Sequence, residues 1–219
     1  MADKIRAVLF DMDGVLIDAR EWHYEALNRA LAGFGFNISR HDHLVTFDGL
    51  PTSEKLQLLT AKRGLPRRLH GRVGDIKQQY TLELIYQHCR PQLAQQHALS
   101  CLQTAGYRLA VCSNSIRSSV DLMLSRAGLL PYLEFFLSSQ DVPRPKPAPD
   151  IYQAAIARMG LQAAECLVVE DNHHGIEAAR AAGAHVLPVA GVDEVRLERV
   201  LDAIRRIESA TEMAASGAA

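Results

Sequence analysis

Two aspartates with one residue between them, Asp11 and Asp13, follow the apolar run Ala7 to Phe10 and precede Gly14. Two carboxylates in close proximity repel each other, by about 4 kcal/mol at about 4 Å if the effective dielectric constant is about 20. Another group of the protein or a bound cation must offset this repulsion. Because carboxylates act as nucleophiles and as general acids or bases, the pair is consistent with group-transfer chemistry.

Polar side chains also follow other apolar runs of the chain. Taken singly, a carboxylate after a strand is usually a turn or helix cap, and a lysine in a proline-rich loop is usually a solvated surface charge. If the runs are neighbouring parallel strands, however, these residues converge, because ligands bind beyond the carboxyl ends of such strands. The four sets are Asp11 with Asp13, Ser113 with Asn114, Arg144 with Lys146, and Glu170 with Asp171.

These residue types suit separate parts of a phosphoryl transfer. Asp11 can be the nucleophile that forms an aspartyl-phosphate, and Asp13 can protonate the leaving oxygen and later deprotonate water. Several carboxylates facing a phosphate require a cation, and an all-oxygen set suits Mg²⁺ better than zinc. Ser113 and the start of the following helix can hold phosphate oxygens, while Lys146 can neutralise the phosphate and the nucleophile.

The elements that position these residues alternate between short apolar strands and helices. This alternation indicates an α/β fold with a Rossmann-like parallel sheet and helices on both faces. Strands are predicted at Ile5–Phe10, Arg108–Cys112, Glu134–Leu137, Cys166–Val169 and His185–Val189. Helices are predicted at Gln92–Thr104, Arg117–Ala127, Pro149–Met159, Gly175–Ala182 and Val192–Ile207.

Residues 19–90 break the alternation, because they contain helical patterns and no convincing strand. They are predicted to form an all-helical cap inserted after the first strand, while residues 1–18 and 91–208 form the catalytic core. Residues 209–219, rich in Ala, Ser and Gly, are predicted to be a disordered tail. The predicted cap helices are Trp22–Phe34, Thr52–Arg63 and Pro66–Tyr86.

The composition restricts the partners of the chain. Its 219 residues are 48% hydrophobic and 22% charged, with a net charge of −1, so bulk charge gives no support to a nucleic-acid or membrane partner. The cysteines lack C-x-x-C spacing, and the apolar run after the N-terminus is too short for a signal peptide or membrane span. We expect a reduced, cytoplasmic protein, with a monomer as the default.

Taken together and in this order, four short motifs resemble the haloacid dehalogenase superfamily over residues 5 to about 207. Within it, the chain is similar to the β-phosphoglucomutase-like and sugar-phosphate phosphatase branch, whose members carry a helical cap after the first strand. The combination is specific, whereas a lone D-x-D is a weak signal. The motifs are Asp11-Met12-Asp13-Gly14-Val15-Leu16, Ser113-Asn114, Lys146-Pro147-Ala148-Pro149-Asp150 and Glu170-Asp171.

The resemblance implies a role for each matching residue. Asp11 would be the nucleophile and a Mg²⁺ ligand, and Asp13 the acid–base, with its backbone carbonyl also on the metal. Asp171 would be a metal ligand, and Glu170 beside it either a ligand or a carboxylate behind the ligands. The implied phosphate-binding residues are Ser113, Asn114 and Lys146.

Cap residues are expected to select the substrate by closing over the site. A histidine at the place of His23 lies near the acid–base in the mutase-like branch, and Lys55 and the weaker candidate Lys77 add positive charge. The related mutase has an arginine near Thr52 that holds a second phosphate. This chain lacks that arginine, which favours hydrolysis over mutase chemistry.

Two further positions depart from the relatives' pattern. Ala19 stands where relatives often carry Ser or Thr, just before the cap. The pair His173-His174 follows the fourth motif, and we interpret it as a solvated first helical turn rather than a metal site, because no third imidazole partner is evident.

The sequence therefore predicts a Mg²⁺-dependent phosphatase acting on a small phosphate ester, most simply a sugar phosphate, through an aspartyl-phosphate. A phosphomutase is the alternative among enzymes. A phospho-receiver protein also uses acidic strand ends, but it lacks a helical insertion after the first strand and needs no acid–base. A catalytically silent binding protein is disfavoured by the intact set of catalytic residue types.

Overall fold

The computed structural model describes residues 4–217 and shows a five-stranded sheet in which every pairing is parallel. The strand order is β3-β2-β1-β4-β5, which places β1 at the centre. All five predicted strands are present, and only their ends differ from the prediction. The strands are β1 Ala7–Phe10, β2 Arg108–Cys112, β3 Phe135–Leu137, β4 Cys166–Glu170 and β5 His185–Pro188.

Helices account for most of the described residues outside the sheet, and none of them is long and apolar enough to cross a lipid bilayer. A π-helical turn at His43–Phe47 follows the short helix α2. The helices are α1 Arg20–Ala32, α2 Arg40–Asp42, α3 Thr52–Arg63, α4 His70–His88, α5 Leu93–Thr104, α6 Arg117–Arg126, α7 Asp150–Arg158, α8 His173–Ala181 and α9 Leu197–Gly217.

Side chains of the central strand alternate between two apolar clusters, one on each face of the sheet. Val8 and Phe10 pack with residues of α5, α6 and α9. Ala7 and Leu9 pack with residues of α7 and α8. Helices thus cover both faces, and the predicted α/β architecture is confirmed.

The helices between β1 and α5 form an apolar cluster of their own, in which Leu27, Leu59 and Val73 are fully buried. This arrangement is the helical cap that the sequence predicts. The end of α4 belongs to the core instead, because Ile85 packs with the sheet cluster. The cap bounds of 19–90 stay a prediction.

The last helix runs through most of the predicted disordered tail, residues 209–219. Helix α9 continues to Gly217, and the last two residues of the predicted tail lie outside the described part of the chain, so the disorder of this tail stays a prediction. Alanine, glutamate and methionine have high helix propensity, and they extend the helix that the apolar residues before them begin. The hydroxyl of Thr211 donates to the carbonyl oxygen of Ile207 at 2.9 Å within this extension.

Candidate active site

The strand register brings the ends of three strands to one edge of the sheet. Phe10 of β1 lies level with Val111 of β2 and with Val169 of β4, and all three strands run in the same direction. The polar residues that follow them therefore meet at this edge. A cavity of about 220 Å³ lies between the edge and the cap, and both units line it.

Lys146 lies between two carboxylates at the centre of this edge. Its Nζ donates to Asp11 Oδ1 at 2.6 Å and to Glu170 Oε1 at 2.7 Å, and the residue is only 3% exposed. Burial opposes the charge, but these two carboxylates raise the pKa of Lys146 well above its ordinary value. The ammonium group is therefore held charged against the oxygen that would attack phosphorus.

Glu170 is saturated with hydrogen bonds. Tyr152 Oη donates to its Oε1 at 2.9 Å, beside Lys146, and the backbone N–H groups of Asp171 and Asn172 donate to its Oε2 at 2.9 and 3.1 Å. A carboxylate has about four lone-pair sites, and these four donors use them. The geometry thus favours Glu170 as the carboxylate that positions Lys146, one of its two predicted roles, over the role of direct metal ligand.

Replacing this lysine in Lys146→Met is expected to lower the free energy of unfolding by about 3–5 kcal/mol, because two buried carboxylates lose their shared cation. Urea unfolding in buffer free of divalent cations measures the change. Lys62→Met is the matched control, since Lys62 is an exposed residue of α3 and its replacement is expected to change stability by less than about 0.5 kcal/mol. Equal stability of the two variants would contradict the conclusion that Lys146 is the cation shared by the two buried carboxylates.

Three carboxylates form the acidic cluster of the site. Oxygen atoms of Asp11, Glu170 and Asp171 lie within 4.8 Å of one another, and Asp171 Oδ1 is buried without a hydrogen-bond partner among the described residues. Gly14 makes room for the cluster, since a Cβ at this positive-φ glycine would collide with Asp171 Oδ2. An unpartnered buried carboxylate oxygen next to a second carboxylate fits a hard cation such as Mg²⁺.

The raised pKa values of two of these carboxylates also favour a bound cation. Burial raises the pKa of Asp11 well above its ordinary value, and the charge of Lys146 only partly offsets this. Burial and the neighbouring Glu170 raise the pKa of Asp171 to about 6. A bound divalent cation would stabilise the ionised form of both groups.

Asp13 points away from that cluster and toward the cap. Its Oδ1 lies 3.1 Å from His23 Nε2, and its Oδ2 accepts from Ser115 Oγ at 2.8 Å and from Ser113 Oγ at 3.4 Å. Burial alone would raise the pKa of Asp13, but His23 and Ser115 bring it below its ordinary value. The carboxylate is therefore ionised here, as a general base must be, and the charge of an incoming phosphate would favour its protonation.

The tautomer of His23 follows from its two partners. The ionised Asp13 carboxylate can only accept, so His23 Nε2 carries the hydrogen that faces it, and in the neutral ring Nδ1 is the acceptor that lies 3.3 Å from Lys77 Nζ. Burial lowers the pKa of His23, which keeps the imidazole neutral. Lys77 of the cap thus contacts His23, and His23 contacts Asp13, the predicted acid–base.

Ser113 and Asn114 both lie at the site, but their side chains already have protein partners. Ser113 Oγ accepts from the backbone N–H of Ser115 at 3.0 Å. Asn114 Oδ1 accepts from the Lys146 N–H at 3.0 Å, and its Nδ2 donates to the carbonyl oxygens of Lys146 and of Gly49, at 3.2 and 3.0 Å. Asn114 therefore ties the lysine loop to the cap loop, and phosphate binding by these two residues stays a prediction.

Three functional neighbours were missed by sequence reasoning. Arg20, the first residue of α1, donates through Nη2 to Asp171 Oδ2, and Ser115 and Tyr152 donate to the site carboxylates described above. The signal for Tyr152 was slight, a hydroxyl on the otherwise apolar face of α7. The contact of Arg20 with Asp171 joins distant parts of the sequence, and no motif spacing predicts it.

The remaining departures have simple structural accounts. Ala19 occupies the N-cap position of α1, where it is buried and makes no side-chain capping hydrogen bond. His173 and His174 begin α8, the first exposed and the second partly exposed. The Asn172 side chain caps this helix by accepting from the His174 N–H at 3.0 Å.

Comparison with known proteins identifies the family. A family model described as haloacid dehalogenase-like hydrolase matches residues 8–189, which contain the sheet, the cap and all four motifs. The chain belongs to this family. The resemblance predicted from the motifs is therefore confirmed, and so is the interpretation of the chain as an enzyme of this hydrolase class.

Individual relatives match most of the chain. The pyrophosphatase PpaX of Bacillus velezensis is 27% identical over 197 residues, covering 87% of this chain and 86% of the relative. A phosphorylated carbohydrates phosphatase of Thermotoga maritima is 28% identical over 182 residues, 82% of each chain. The crystal structure of CbbY from Rhodobacter sphaeroides in complex with phosphate superposes with a TM-score of 0.76 at 25% identity, over 85% of this chain and 87% of that one.

Proposed function

We propose that this hydrolase is a Mg²⁺-dependent phosphatase that acts on small phosphate esters, sugar phosphates in particular, through an aspartyl-phosphate. The observation that carries the proposal is the position of Asp11, which lies against the Lys146 ammonium group and within 4.8 Å of the Asp171 carboxylate, with Asp13 two residues further along. The activities named for the relatives, a pyrophosphatase and a phosphatase of phosphorylated carbohydrates, support it.

In the first step, a carboxylate oxygen of Asp11 attacks phosphorus and the bond from phosphorus to the ester oxygen breaks. Lys146 orients the attacking carboxylate and offsets the charge of the phosphoryl oxygens. The leaving oxygen takes its proton from Asp13 in its protonated form. The products of this step are the free alcohol and a phosphoryl group bonded to Asp11.

In the second step, the Asp13 carboxylate removes a proton from water, and the water oxygen attacks the phosphorus of the aspartyl-phosphate. The bond from phosphorus to Asp11 breaks, which releases inorganic phosphate and restores both carboxyl groups to their starting states. His23 holds Asp13 in place through both steps, because its Nε2 hydrogen points at Asp13 Oδ1. The cap excludes bulk water from the cavity.

Asp11, Asp171 and the backbone carbonyl of Asp13 would hold the metal ion, whose positive charge would draw the phosphate toward the nucleophile. The residues fit this cofactor, because the acidic cluster includes an oxygen without a partner and offers only oxygen ligands. A site of this chemistry selects Mg²⁺ over zinc.

Chelation of divalent cations is expected to lower phosphate release at least about 100-fold, because the site loses the charge that offsets its carboxylates. The measurement is phosphate release from p-nitrophenyl phosphate and from a panel of sugar phosphates, in EDTA and after added Mg²⁺. Circular dichroism in EDTA is the control for retained structure. Full activity in EDTA, with the fold intact, would contradict a metal-dependent mechanism.

The same panel distinguishes hydrolysis from the mutase alternative. A phosphatase releases inorganic phosphate from glucose 1-phosphate, whereas a mutase returns an isomeric sugar phosphate. We expect release, because the arginine of the related mutase is absent near Thr52. The cytoplasmic location and the monomeric state stay predictions.

A further inference from the structure

A second cavity, of about 310 Å³, lies where the chain passes between the core and the cap. It is larger than the active-site cavity of about 220 Å³, and no described residue lines both. Residues 16–18, between β1 and α1, form one part of its lining, and residues 89, 90 and 92, between α4 and α5, form another. This junction cavity is therefore separate from the catalytic edge and is bounded by both connections between the two units.

The inner lining of the junction cavity is apolar, and part of its wall is aromatic. The Trp22 ring of α1 stacks on the His88 ring at the end of α4, with centroids 6.2 Å apart and an angle of 26° between the planes. Aromatic rings bind well against apolar and aromatic surfaces of this kind. The buried apolar residues of the lining are Leu16, Ile17, Cys89, Ala127, Leu129 and Val195.

Gln95 of α5 adds an amide group to this apolar lining, although the residue is only 5% exposed. Its Nε2 donates to the Val192 carbonyl oxygen at 2.9 Å, which fixes the orientation of the amide. Its Oε1 accepts no hydrogen bond from any residue between 4 and 217. Because an unpaired acceptor in a buried position is unfavourable, a molecule in the cavity gains affinity from an N–H or O–H donor.

The charged residues of the lining are all exposed, and two of them are positive and two negative, so their formal charges cancel. The guanidinium groups donate to backbone carbonyl oxygens, from Arg90 to Tyr86 and Cys89 and from Arg196 to Asp193. With no net charge, this outer part of the lining does not attract an ion of either sign. The four residues are Asp18, Arg90, Asp193 and Arg196.

We propose that the junction cavity binds a small uncharged aromatic molecule that carries an N–H or O–H donor. The ring of this molecule packs against the apolar lining and Trp22, and its donor bonds to Gln95 Oε1. Because Trp22 belongs to the cap helix α1 and Gln95 to the core helix α5, the bound molecule contacts both units at once. The site is independent of the proposed phosphatase function, since the two cavities share no lining residue.

Calorimetry with indole and benzofuran tests the site in the wild-type chain. The two compounds have nearly the same shape, but benzofuran has an oxygen atom in place of the indole N–H group. We expect indole to bind with a Kd below about 1 mM and benzofuran at least about fivefold more weakly, because Gln95 Oε1 then stays unpaired. Indole-3-carboxylate is expected to bind no more tightly than indole. Absence of indole binding, equal binding of indole and benzofuran, or tighter binding of the carboxylate would overturn the proposal.

A pair of variants assigns the preference for indole to Gln95. Gln95→Met removes the acceptor, so the ratio of the benzofuran Kd to the indole Kd should fall to about one. Gln96→Met is the matched control, because Gln96 lies next to it in α5 and donates to the Ala127 carbonyl oxygen at 3.2 Å, yet it is outside the cavity lining. This control should keep the wild-type ratio. A ratio unchanged in Gln95→Met would contradict the proposed hydrogen bond.

Hydrogen exchange followed by mass spectrometry locates the bound indole. At a saturating concentration, amide exchange should slow in residues 16–18 and 88–95, which border the junction cavity, and should stay unchanged in residues 48–51 of the active-site cavity. Neither this measurement nor calorimetry requires turnover, so failure of the phosphatase function would leave both results intact. Slower exchange in residues 48–51, without a change at the junction, would place indole in the active-site cavity and overturn the proposal.

Discussion

An Asp11→Asn variant is expected to release phosphate at least about 10⁴-fold more slowly than the wild-type chain, with every ester tested. The amide oxygen of asparagine is a poor nucleophile, and Glu170, the other carboxylate on Lys146, already accepts four hydrogen bonds and is not free to attack in its place. The amide can still accept the hydrogen bond from Lys146 Nζ, so the fold should be retained. Phosphate release under single-turnover conditions measures the chemical step directly.

Asp18→Asn is the matched control for this loss. Asp18 is an exposed residue seven positions further along the chain, outside the cavity lining, so its variant should keep wild-type turnover. A covalent test adds a second readout, since acid-quenched wild-type enzyme should carry a phosphoryl group and Asp11→Asn should carry none. Substantial turnover by Asp11→Asn, with a phosphoryl group on another residue, would remove Asp11 from the nucleophile's role.

The sheet could be predicted from the sequence because strands that are buried on both faces are continuous apolar runs. Leu167 to Val169 is an uninterrupted apolar run, and its residues alternate between the two clusters on either face of the sheet. In a chain that alternates strands with helices, such a short apolar run indicates a strand of a parallel sheet covered on both faces. The residues that follow it, Glu170 and Asp171, are then placed at the sheet edge by topology alone.

Contacts between distant parts of the chain could not be predicted in this way. The Arg20 guanidinium meets Asp171 only because α1 begins beside the end of β4, and no local pattern encodes that approach. The saturation of Glu170 depends likewise on Tyr152, whose place on an apolar helix face suggests core packing. These contacts are decided by packing between elements, which periodicity does not describe.

Lys55 could be predicted only in part. The sequence names it among the cap residues that are expected to select the substrate, and the fold places it in the lining of the cavity that holds Asp11 and Asp13. Its low exposure of 6% could not be predicted, because lysines are mostly exposed and the burial of this one depends on how the cap helices pack.

Asp13→Asn is expected to separate the two chemical steps of the reaction. With sugar phosphates, turnover should fall by about 10²- to 10⁴-fold, because the leaving oxygen no longer receives a proton. With p-nitrophenyl phosphate, the leaving group needs no proton, so the first step should continue and release about one equivalent of nitrophenolate per enzyme. Hydrolysis of the aspartyl-phosphate should then stall, because no base activates water.

Rapid-quench measurement of nitrophenolate and of covalently bound phosphoryl groups checks this burst. The double variant Asp11→Asn/Asp13→Asn is the control, since without the Asp11 carboxylate neither the burst nor the phosphorylated enzyme can form. Because His23 Nε2 and Ser115 Oγ can both still face the asparagine side chain, the pocket around it should keep its shape. A proportional loss of both steps, with no accumulation of phosphorylated enzyme, would show that Asp13 positions the site and does not exchange the protons.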